Sequence, residues 1–380
     1  MESLILLGLF VFLALSALNF LTAFRLERVK KNSHANLPTA SILIPARNEA
    51  HNLIHLIPSL LLSDYKNFEI LILNDNSEDD TEQVALKLLE KSPVPFQIIR
   101  GESWHPDLGL SGKNFACHQL ALKATGAIFI FCDADVTLSP DVMARTLSLI
   151  RQYPQASGLS CFPKIEATGF LEKLVFPWIM QIPLIISLPL RFAWRCPFAA
   201  MQLANGQWMA IRREDYFKAG GHQSLGPNVI EDVQMAKTMV RKSIGGIMPV
   251  LANQDLTVKM YSSWTEMIAG FSKNLIGIYG GKPGYFILLL FILNLIFLYP
   301  WFRLFQVDTI SILLISILFL TRVFVSLTFG RSLLKSITDF LLIGPSLLAL
   351  DYFCFLILKN YWTKNTDWKG RKTSLSGSSS

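Results

Sequence analysis

The sequence has few charged residues and few cysteines, and each shortage excludes a class of protein. Of its 380 residues, 17% are Asp, Glu, Lys or Arg, whereas about a quarter is usual for a soluble domain. The cysteines are odd in number, widely spaced and without a Cys-x-x-Cys pair. This argues against a disulfide framework or a zinc site, and it indicates a reducing compartment in which they pack. They are Cys117, Cys132, Cys161, Cys196 and Cys354.

The sequence also lacks the marks of a nucleic-acid-binding surface, although its formal net charge is +7. Such a surface needs Lys and Arg clustered on one face or alternating with aromatic residues. Here the basic residues collect mostly beside apolar segments, where they orient a chain in a membrane and attract anionic lipid. We therefore expect a membrane and no nucleic acid as the partner of Arg25, Arg28, Lys30, Lys31, Lys359, Lys364, Lys369, Arg371 and Lys372.

Apolar residues, by contrast, make up 51% of the chain, and the mean hydropathy is +0.39. Residues 4–24 form a nearly continuous apolar run, about as long as the ~20 residues that a bilayer span requires. A cleavable signal peptide would carry positive charge before its apolar core, whereas here the charge follows at 25–31. Residues 1–30 are therefore predicted to be an uncleaved transmembrane anchor whose C-terminal end lies in the cytosol.

The sequence of the C-terminal part predicts transmembrane helices within residues 285–360 and a basic cytosolic tail at residues 361–380. An earlier apolar run, 170–194, contains three prolines, which favour an interfacial or re-entrant segment. If every tail run spans, the basic C-terminus falls on the side opposite the cytosolic domain, against the positive-inside rule. Either one tail run is re-entrant, or 170–194 spans the bilayer. The tail runs are 285–301, 309–329 and 337–358.

The charged residues Arg322 and Asp351 lie inside these tail runs. Charges inside membrane segments are costly and are usually functional or placed against a cavity. For Arg322 the alternative is a side chain that reaches to lipid headgroups. For Asp351 we expect a buried polar partner.

Between the apolar ends, short strands alternate with helices, which predicts one domain over 38–284. Continuous apolar strands separated by helices indicate a doubly wound α/β fold, with a sheet covered on both faces. Ligands of such sheets bind outside the carboxyl ends of the strands. The predicted strands are 40–44, 68–73, 96–100 and 127–132, and the predicted helices are 52–62, 80–91 and 114–124.

Polar residues follow three of these strands, and we expect them to converge on one ligand. The third group, Asp133-Ala134-Asp135, suits Mg²⁺ or Mn²⁺, which also coordinate substrate phosphates. Aspartate pairs are also common at turns and helix caps. The buried run before this pair and the two other polar strand ends favour the metal. Those ends are Pro45-Ala46-Arg47-Asn48-Glu49 and Asn74-Asp75-Asn76-Ser77.

Two further residues have both a binding and a structural interpretation. Asp75 could accept hydrogen bonds from the base of a nucleotide, or it could be a turn residue, although Ser77 and Asp79 fit a capping role better. Lys113 follows two glycines and could reach a phosphate, or it could be a solvated loop lysine.

The second half of the chain contributes Glu231 and Asp232 at the predicted start of a helix. They could cap that helix, because its dipole favours acids there. Alternatively, Asp232 is a general base that takes a proton from a hydroxyl group. The sequence of residues 205–213 predicts a glycine turn that leads into a strand. With Glu231, the residues Gly206, Gln207 and Trp208 of this segment could form the other side of the pocket.

In this order the motifs resemble the membrane-bound GT-A glycosyltransferases of family 2, over residues 40–240. Further stretches, MYSSWTEMIAGFSKN and TDWKGR, are similar to bacterial carotenoid glycosyltransferases of the diaponeurosporenoate or chlorobactene type. Ceramide glucosyltransferase is a more distant comparison. The stretches that carry the family resemblance are SILIPARNEA, EILILNDNSEDDT, SGKNFACHQLA, FIFCDADV, GQWMAIRREDYFKAGGH and EDVQMAK.

The resemblance implies the GT-A (nucleotide-diphospho-sugar transferase) fold, a mixed sheet, and roles for single residues. It implies Asp232 as the base and an acceptor side formed by Gly206, Gln207, Trp208 and Glu231. The implied donor contacts are Pro45, Arg47, Glu49 and Asp75 on the nucleotide, Lys113 and Lys273 near the diphosphate, and the Asp133-Ala134-Asp135 loop with its metal.

The resemblance also implies an activity: inverting transfer of a sugar from a nucleotide-sugar, a UDP-sugar above all, to a lipid acceptor. The protein would be a multi-pass protein of the inner (cytoplasmic) membrane with its catalytic domain in the cytosol. The Gln-x-x-Arg-Trp motif of processive synthases is missing, which favours one sugar added once, and Lys372 replaces an aromatic residue after the terminal motif. The alternatives are a processive polysaccharide synthase and a non-catalytic nucleotide-sugar-binding membrane protein.

Overall fold

The computed structural model describes residues 2–32, 36–167, 169–186, 188–228, 230–261, 263–278, 282–363, 367–368 and 371–372. The chain divides into two compact units. The first, called here the apolar unit, comprises Met1–Ala23, Ala167–Pro189 and Tyr261–Ser380. The second, called the sheet unit, comprises Phe24–Glu166 and Leu190–Met260.

Both units contain helices, and the sheet unit contains most of the strands. The α-helices are α1 (Glu2–Thr22), α2 (Ala50–Leu61), α3 (Thr81–Leu89), α4 (Gly112–Lys123), α5 (Val142–Gln152), α6 (Phe170–Ile186), α7 (Leu190–Ala193), α8 (Arg213–Ala219), α9 (Glu231–Arg241), α10 (Trp264–Ile278), α11 (Pro283–Arg303), α12 (Thr309–Thr328), α13 (Leu333–Leu341) and α14 (Ile343–Trp362). The strands are β1 (Phe24–Arg25), β2 (Ala40–Ala46), β3 (Phe68–Asn74), β4 (Phe96–Arg100), β5 (Ile128–Cys132), β6 (Val136–Leu138), β7 (Gly158–Ile165), β8 (Trp208–Arg212), β9 (Ile247–Val258), β10 (Asp367–Trp368) and β11 (Arg371–Lys372).

The sheet unit is built on a mixed sheet in the order β1-β9-β7-β8-β5-β2-β3-β4, with β6 paired to β9. Strands β5, β2, β3 and β4 are parallel, so the carboxyl ends of the predicted strands meet at one edge. Strand β8 is antiparallel to β5, with Trp208 opposite Cys132. The residues that precede β8 therefore lie beside those that follow β5.

Alternate side chains of each central strand enter two different cores. Ile42, Ile44 and Ile130 pack on one face of the sheet with α2, α3 and α5. Leu43 and Phe131 pack on the other face with α4, α8 and α9. The continuous apolar strands are explained by this double burial, and the predicted α/β fold is confirmed.

In the apolar unit, four of the described helices are long and apolar enough to cross a membrane: Glu2–Thr22, Pro283–Gln306, Thr309–Thr328 and Ile343–Trp362. The apolar run at 337–358 holds two helices, because α13 ends at Leu341 and α14 begins at Ile343. Pro345 lies in the first turn of α14, where its missing backbone N–H costs no hydrogen bond within that helix.

The proline-containing run at 170–194 forms a helix, α6, that continues past Pro177 to Ile186. Its neighbours within the apolar unit pack closely around that proline: the Trp178 indole N–H donates to Ser346 of α14 at 2.8 Å. With 17 residues, α6 is shorter than the ~20 that a span requires. Whether it crosses the bilayer or lies at its surface stays a prediction.

The predicted domain limits also stay predictions, and the structure divides the chain at different points. Both α6 and α10, which the predicted domain over 38–284 includes, belong to the apolar unit. A ring contact explains this grouping for α10, since the ring centroids of Phe271 and of Phe353 in α14 lie 5.7 Å apart. The predicted tail at 361–380 falls mostly outside the described residues.

Candidate functional site

A lysine joins two of the predicted site carboxylates in the sheet unit. Lys113 Nζ lies 2.7 Å from Oδ1 of Asp133 and 2.6 Å from Oε1 of Glu231. Partial burial acts to lower the pKa of Lys113, but the two carboxylates raise it well above its ordinary value. The ammonium group therefore stays charged and holds the loop after β5 to the start of α9.

Local structure explains why Lys113 is held there. Ser111 caps α4, because its hydroxyl oxygen accepts the backbone N–H of Asn114 at 3.2 Å. The buried Asn114 side chain donates to the carbonyls of Gly226 and Asn228, at 2.9 and 3.0 Å. Asn114 thus ties the first turn of α4 to the segment that leads to α9. Asn114 is not among the predicted site residues, although it lies beside Lys113 in the motif SGKNFACHQLA.

The glycine turn before β8 lies against the same carboxylates. A Cβ atom at Gly206 would lie 3.2 Å from Glu231 Oε1, 3.4 Å from Lys113 Nζ and 3.6 Å from Asp232 Cβ. The turn is anchored by Ser160, whose hydroxyl donates to the Asn205 carbonyl at 2.9 Å. Two residues further on, the Gln207 carbonyl accepts the backbone N–H of Asp133 at 3.2 Å. The structure therefore brings Lys113, Asp133, Gly206, Glu231 and Asp232 together.

Two of the predicted acceptor-side residues face inward. The Trp208 indole is fully buried and donates to Thr146 at 3.1 Å. Trp208 lies in β8, where side chains alternate between the two faces, and its role on the acceptor side stays a prediction. Gln207 is 4% exposed, and its Oε1 accepts no hydrogen bond from the described part of the chain. Ala134 is likewise buried in the core, so only its backbone can face a ligand.

Asp232 lies in the first turn of α9, but it does not cap the helix in the usual way. The N-cap residue is Ile230, which makes no side-chain capping bond. Asp232 Oδ1 accepts the backbone N–H of its neighbour Val233 at 2.7 Å. Burial, with the negative charge of Glu231, raises the pKa of Asp232 to about 7. A carboxylate with this pKa is suited to accept a proton near neutral pH.

Asp135 and Asp133 have the features of a divalent-cation site. Asp135 Oδ1 is buried and has no hydrogen-bond partner in the described ranges. Burial, with the charges of Asp133 and Glu49, raises the pKa of Asp135 to about 7, so negative charge is concentrated there. No group of three or more His, Cys, Asp or Glu residues forms a metal site within the described residues. Two carboxylates suffice for Mg²⁺ or Mn²⁺ when substrate phosphates complete the coordination, so the residues present fit such an ion.

The first two strand ends are held together by backbone contacts. Arg47 Nη1 donates to the carbonyls of Asp75 and Asn76, at 2.9 and 3.1 Å. The Asp75 N–H donates to the carbonyl of Ala46 at 2.8 Å, and Ala46 directly follows Pro45. Arg47 thus braces the loop that carries Asp75 in addition to its predicted contact with a nucleotide.

Capping in this region is done by Asp79, as the sequence reasoning favoured. Its carboxylate accepts the N–H groups of Ala50 and Thr81, each at 3.1 Å, and so joins the starts of α2 and α3. Glu49 precedes α2, and its Oε2 accepts from Asn52 at 2.7 Å. The binding interpretation of Asp75 stays a prediction. Lys273, by contrast, is part of α10 in the apolar unit, and its side chain lies outside the described residues.

Comparison with known proteins finds a family match over part of the chain. Residues 41–214 match the model of the family described as Glycosyl transferase family 2. The 4,4'-diaponeurosporenoate glycosyltransferase of Staphylococcus aureus is 26% identical over 259 residues. The match covers 67% of this chain and 65% of that protein, so the chain spans just under two thirds of the relative's length.

One solved structure shares the fold over most of the chain. The mannosyltransferase PcManGT from Pyrobaculum calidifontis, in complex with GDP-Man and Mn²⁺, resembles it with a TM-score of 0.56 at 16% identity. The alignment covers 96% of this chain and 100% of that one. At this identity the likeness concerns the fold alone. The GT-A-like fold predicted from the motifs is thereby confirmed.

Proposed function

We propose that the protein is an inverting glycosyltransferase that moves one sugar from a nucleotide-diphosphate sugar to a hydrophobic lipid or carotenoid-like acceptor at a membrane. The donor is expected to be a UDP-sugar. The observation that carries the proposal is the double ion pair of Lys113 with Asp133 and Glu231. It links the donor side of the predicted site to the helix that begins with the predicted base.

The ion pair also distinguishes the two acids at the start of α9. Glu231 Oε1 is engaged by the ammonium group of Lys113, whereas Asp232 accepts one bond from its own helix. Asp232 is therefore the better base. It takes the proton from the acceptor hydroxyl as that oxygen attacks the anomeric carbon and the bond to the diphosphate breaks on the opposite side. Inversion follows from this single displacement, since a covalent route needs a second, available carboxylate at the sugar.

Asp133 and Asp135 would hold Mg²⁺ or Mn²⁺, and Lys113 would lie near the same phosphates. When bound, the cation neutralises the diphosphate and stabilises it as it leaves. Arg47 and Asp75 would contact the nucleotide, with Pro45 and Glu49 beside them. Hydrogen bonds join the two strand ends that carry these residues, which supports their acting on one ligand.

The nature of the acceptor is supported by two observations. Four described helices have the length and composition of membrane spans. The Staphylococcus aureus relative is named for a hydrophobic carotenoid acid, diaponeurosporenoate. A site in the inner membrane with the sheet unit in the cytosol agrees with the positive charge that follows the first apolar run.

The decisive experiment identifies the product. The full chain in membranes is incubated with a panel of radiolabelled nucleotide-sugars and a lipid extract, with and without Mn²⁺. We expect label in an extractable lipid that carries one sugar, and only when Mn²⁺ or Mg²⁺ is present. Label found only in a high-molecular-weight polymer would instead identify a processive synthase. Donor binding without any labelled product would identify a non-catalytic binding protein.

A further inference from the structure

Arg322 carries a buried charge in the apolar unit and has few hydrogen-bond partners among the described residues. It lies in α12 and is 1% exposed. Its Nη2 donates only a long bond, 3.5 Å, to the Asp339 backbone carbonyl. Within the described ranges its Nε and Nη1 atoms have no hydrogen-bond partner. Its guanidinium carbon lies 5.1 Å from the centre of the Trp178 ring, a contact that offsets only part of the cost of burying a cation.

Within the described residues, Asp339 forms its salt bridge with Arg331 and none with Arg322. Asp339 Oδ1 pairs with Arg331 at 3.0 Å, and Asp339 Oδ2 accepts the Ser326 hydroxyl at 3.2 Å. Both carboxylate oxygens are therefore used by other residues. An uncompensated arginine within an apolar unit is costly, and such residues commonly face a cavity in which a ligand supplies the missing charge.

Arg322 does line such a cavity, within the apolar unit. The cavity has a volume of about 210 Å³, room for roughly seven water molecules at about 30 Å³ each. Its lining includes three basic side chains, Lys173, Arg322 and Arg331, against a single acid, Asp339. Net positive charge with free donor groups selects an anion, and the planar fork of arginine suits phosphate and carboxylate.

Apolar surface surrounds this positive cavity. Phe170, which lines it, is 72% exposed. The short helix α13 supplies Thr338 and Asp339 to the cavity, while its Leu334 and Leu341 are 74% and 62% exposed. Helix α13 thus directs polar groups inward and leucines outward, the opposite of a helix on a soluble protein. A ligand with an anionic head and an apolar tail matches both surfaces.

We propose that this cavity binds the anionic headgroup, a phosphate or a carboxylate, of a lipid amphiphile whose tail lies along the exposed apolar surface. The guanidinium group of Arg322 receives the headgroup through Nε and Nη1. Lys173 supports it from the exposed side. The proposal concerns the apolar unit and does not depend on the transferase activity.

Binding is measured without any sugar donor. The full chain in a neutral detergent is titrated with dodecyl phosphate, laurate, dodecanol and inorganic phosphate, and thermal unfolding reports each affinity. We expect dodecyl phosphate or laurate to stabilise the protein and dodecanol to have no effect. Arg322→Gln should weaken this binding by about tenfold or more, because a charge-assisted bond is lost. Asp351→Asn, which changes another intramembrane charge away from the cavity lining, should leave it unaltered.

Three results would overturn the proposal. If the native protein and Arg322→Gln bind dodecyl phosphate or laurate with equal affinity, the guanidinium group has no role in binding. If dodecanol binds as tightly as dodecyl phosphate, the anionic headgroup has none. Saturation by inorganic phosphate alone, without a benefit from the chain, makes the ligand a free anion. If Arg322→Gln fails to fold, Lys173→Gln at the exposed side is measured instead. A several-fold loss of affinity for dodecyl phosphate or laurate supports the site, and an unchanged affinity rejects it.

Discussion

Lys113 Nζ lies 2.6 Å from Oε1 of Glu231, and this contact joins the first turn of α4 to the first turn of α9. The same nitrogen atom lies 2.7 Å from Asp133. Strand β5 and the helices α4 and α9 therefore place one positive charge between an acid of the predicted metal loop and an acid beside the predicted base.

Replacement of Lys113 tests the importance of this bridge. Lys113→Met leaves Asp133 and Glu231 without their shared cation, so the two carboxylates repel and the site loses a phosphate contact. We expect kcat/KM to fall by roughly 100-fold in a transfer assay with labelled donor, as for the loss of a preorganised electrostatic group. Lys218→Met, whose lysine pairs on the surface with Asp215 at 3.6 Å, is the matched control and should keep full activity. A fully active Lys113→Met protein would contradict the assignment.

The base is tested by Asp232→Asn and by the pH profile of the native protein. Because the pKa of Asp232 is raised to about 7, its basic, ionised form is lost as the pH falls below that value. We expect kcat to drop about tenfold per pH unit below pH 7 and to level off above it. Asp232→Asn should lower kcat by at least about 100-fold and bind donor normally by calorimetry. Transfer that survives in Asp232→Asn would show that another group is the base.

The predicted metal site is tested by direct binding of Mn²⁺. Asp135→Asn removes the carboxylate whose buried oxygen atom lacks a partner in the described ranges. We expect the affinity for Mn²⁺, read from the paramagnetic resonance signal of the free ion in the presence of nucleoside diphosphate, to fall by about tenfold or more. Asp215→Asn serves as the control acid. An unchanged Mn²⁺ affinity in Asp135→Asn would exclude Asp135 as a ligand.

The close approach of Gly206 to the ion pair predicts a narrow tolerance at that position. A methyl group there would meet Glu231 Oε1 at 3.2 Å and Lys113 Nζ at 3.4 Å, so Gly206→Ala must displace one of them. We expect kcat to fall between about tenfold and 100-fold while the melting temperature changes little. Gly284→Ala, where nothing lies within 4 Å of the added atom, should behave as the native protein. Native activity of Gly206→Ala would mean that the turn does not support the site.

The parallel strands of the sheet could be predicted from the sequence because their burial is recorded in local apolar runs. The runs at 40–44, 68–73 and 127–132 became β2, β3 and β5 with shifts of at most two residues at either end. Strands β7 and β9 and the boundary between α13 and α14 were not predicted, since a proline such as Pro177 is also tolerated inside a helix. The inward direction of the Trp208 indole was not predicted either, because strand register alone decides which face a side chain takes.

Length, apolar periodicity and the chemistry of strand ends are local properties, and they were enough to predict the α/β sheet, the membrane-length helices and the acids of the candidate site. Which of these charges pair with one another could be read only from the folded chain. Within the described residues, Lys113 forms a salt bridge with Glu231 and none with Asp232. Likewise, Asp339 forms one with Arg331 and none with Arg322. These choices depend on distances of a few ångströms between residues remote in the chain, and the Coulomb energy of a buried pair changes steeply over that range.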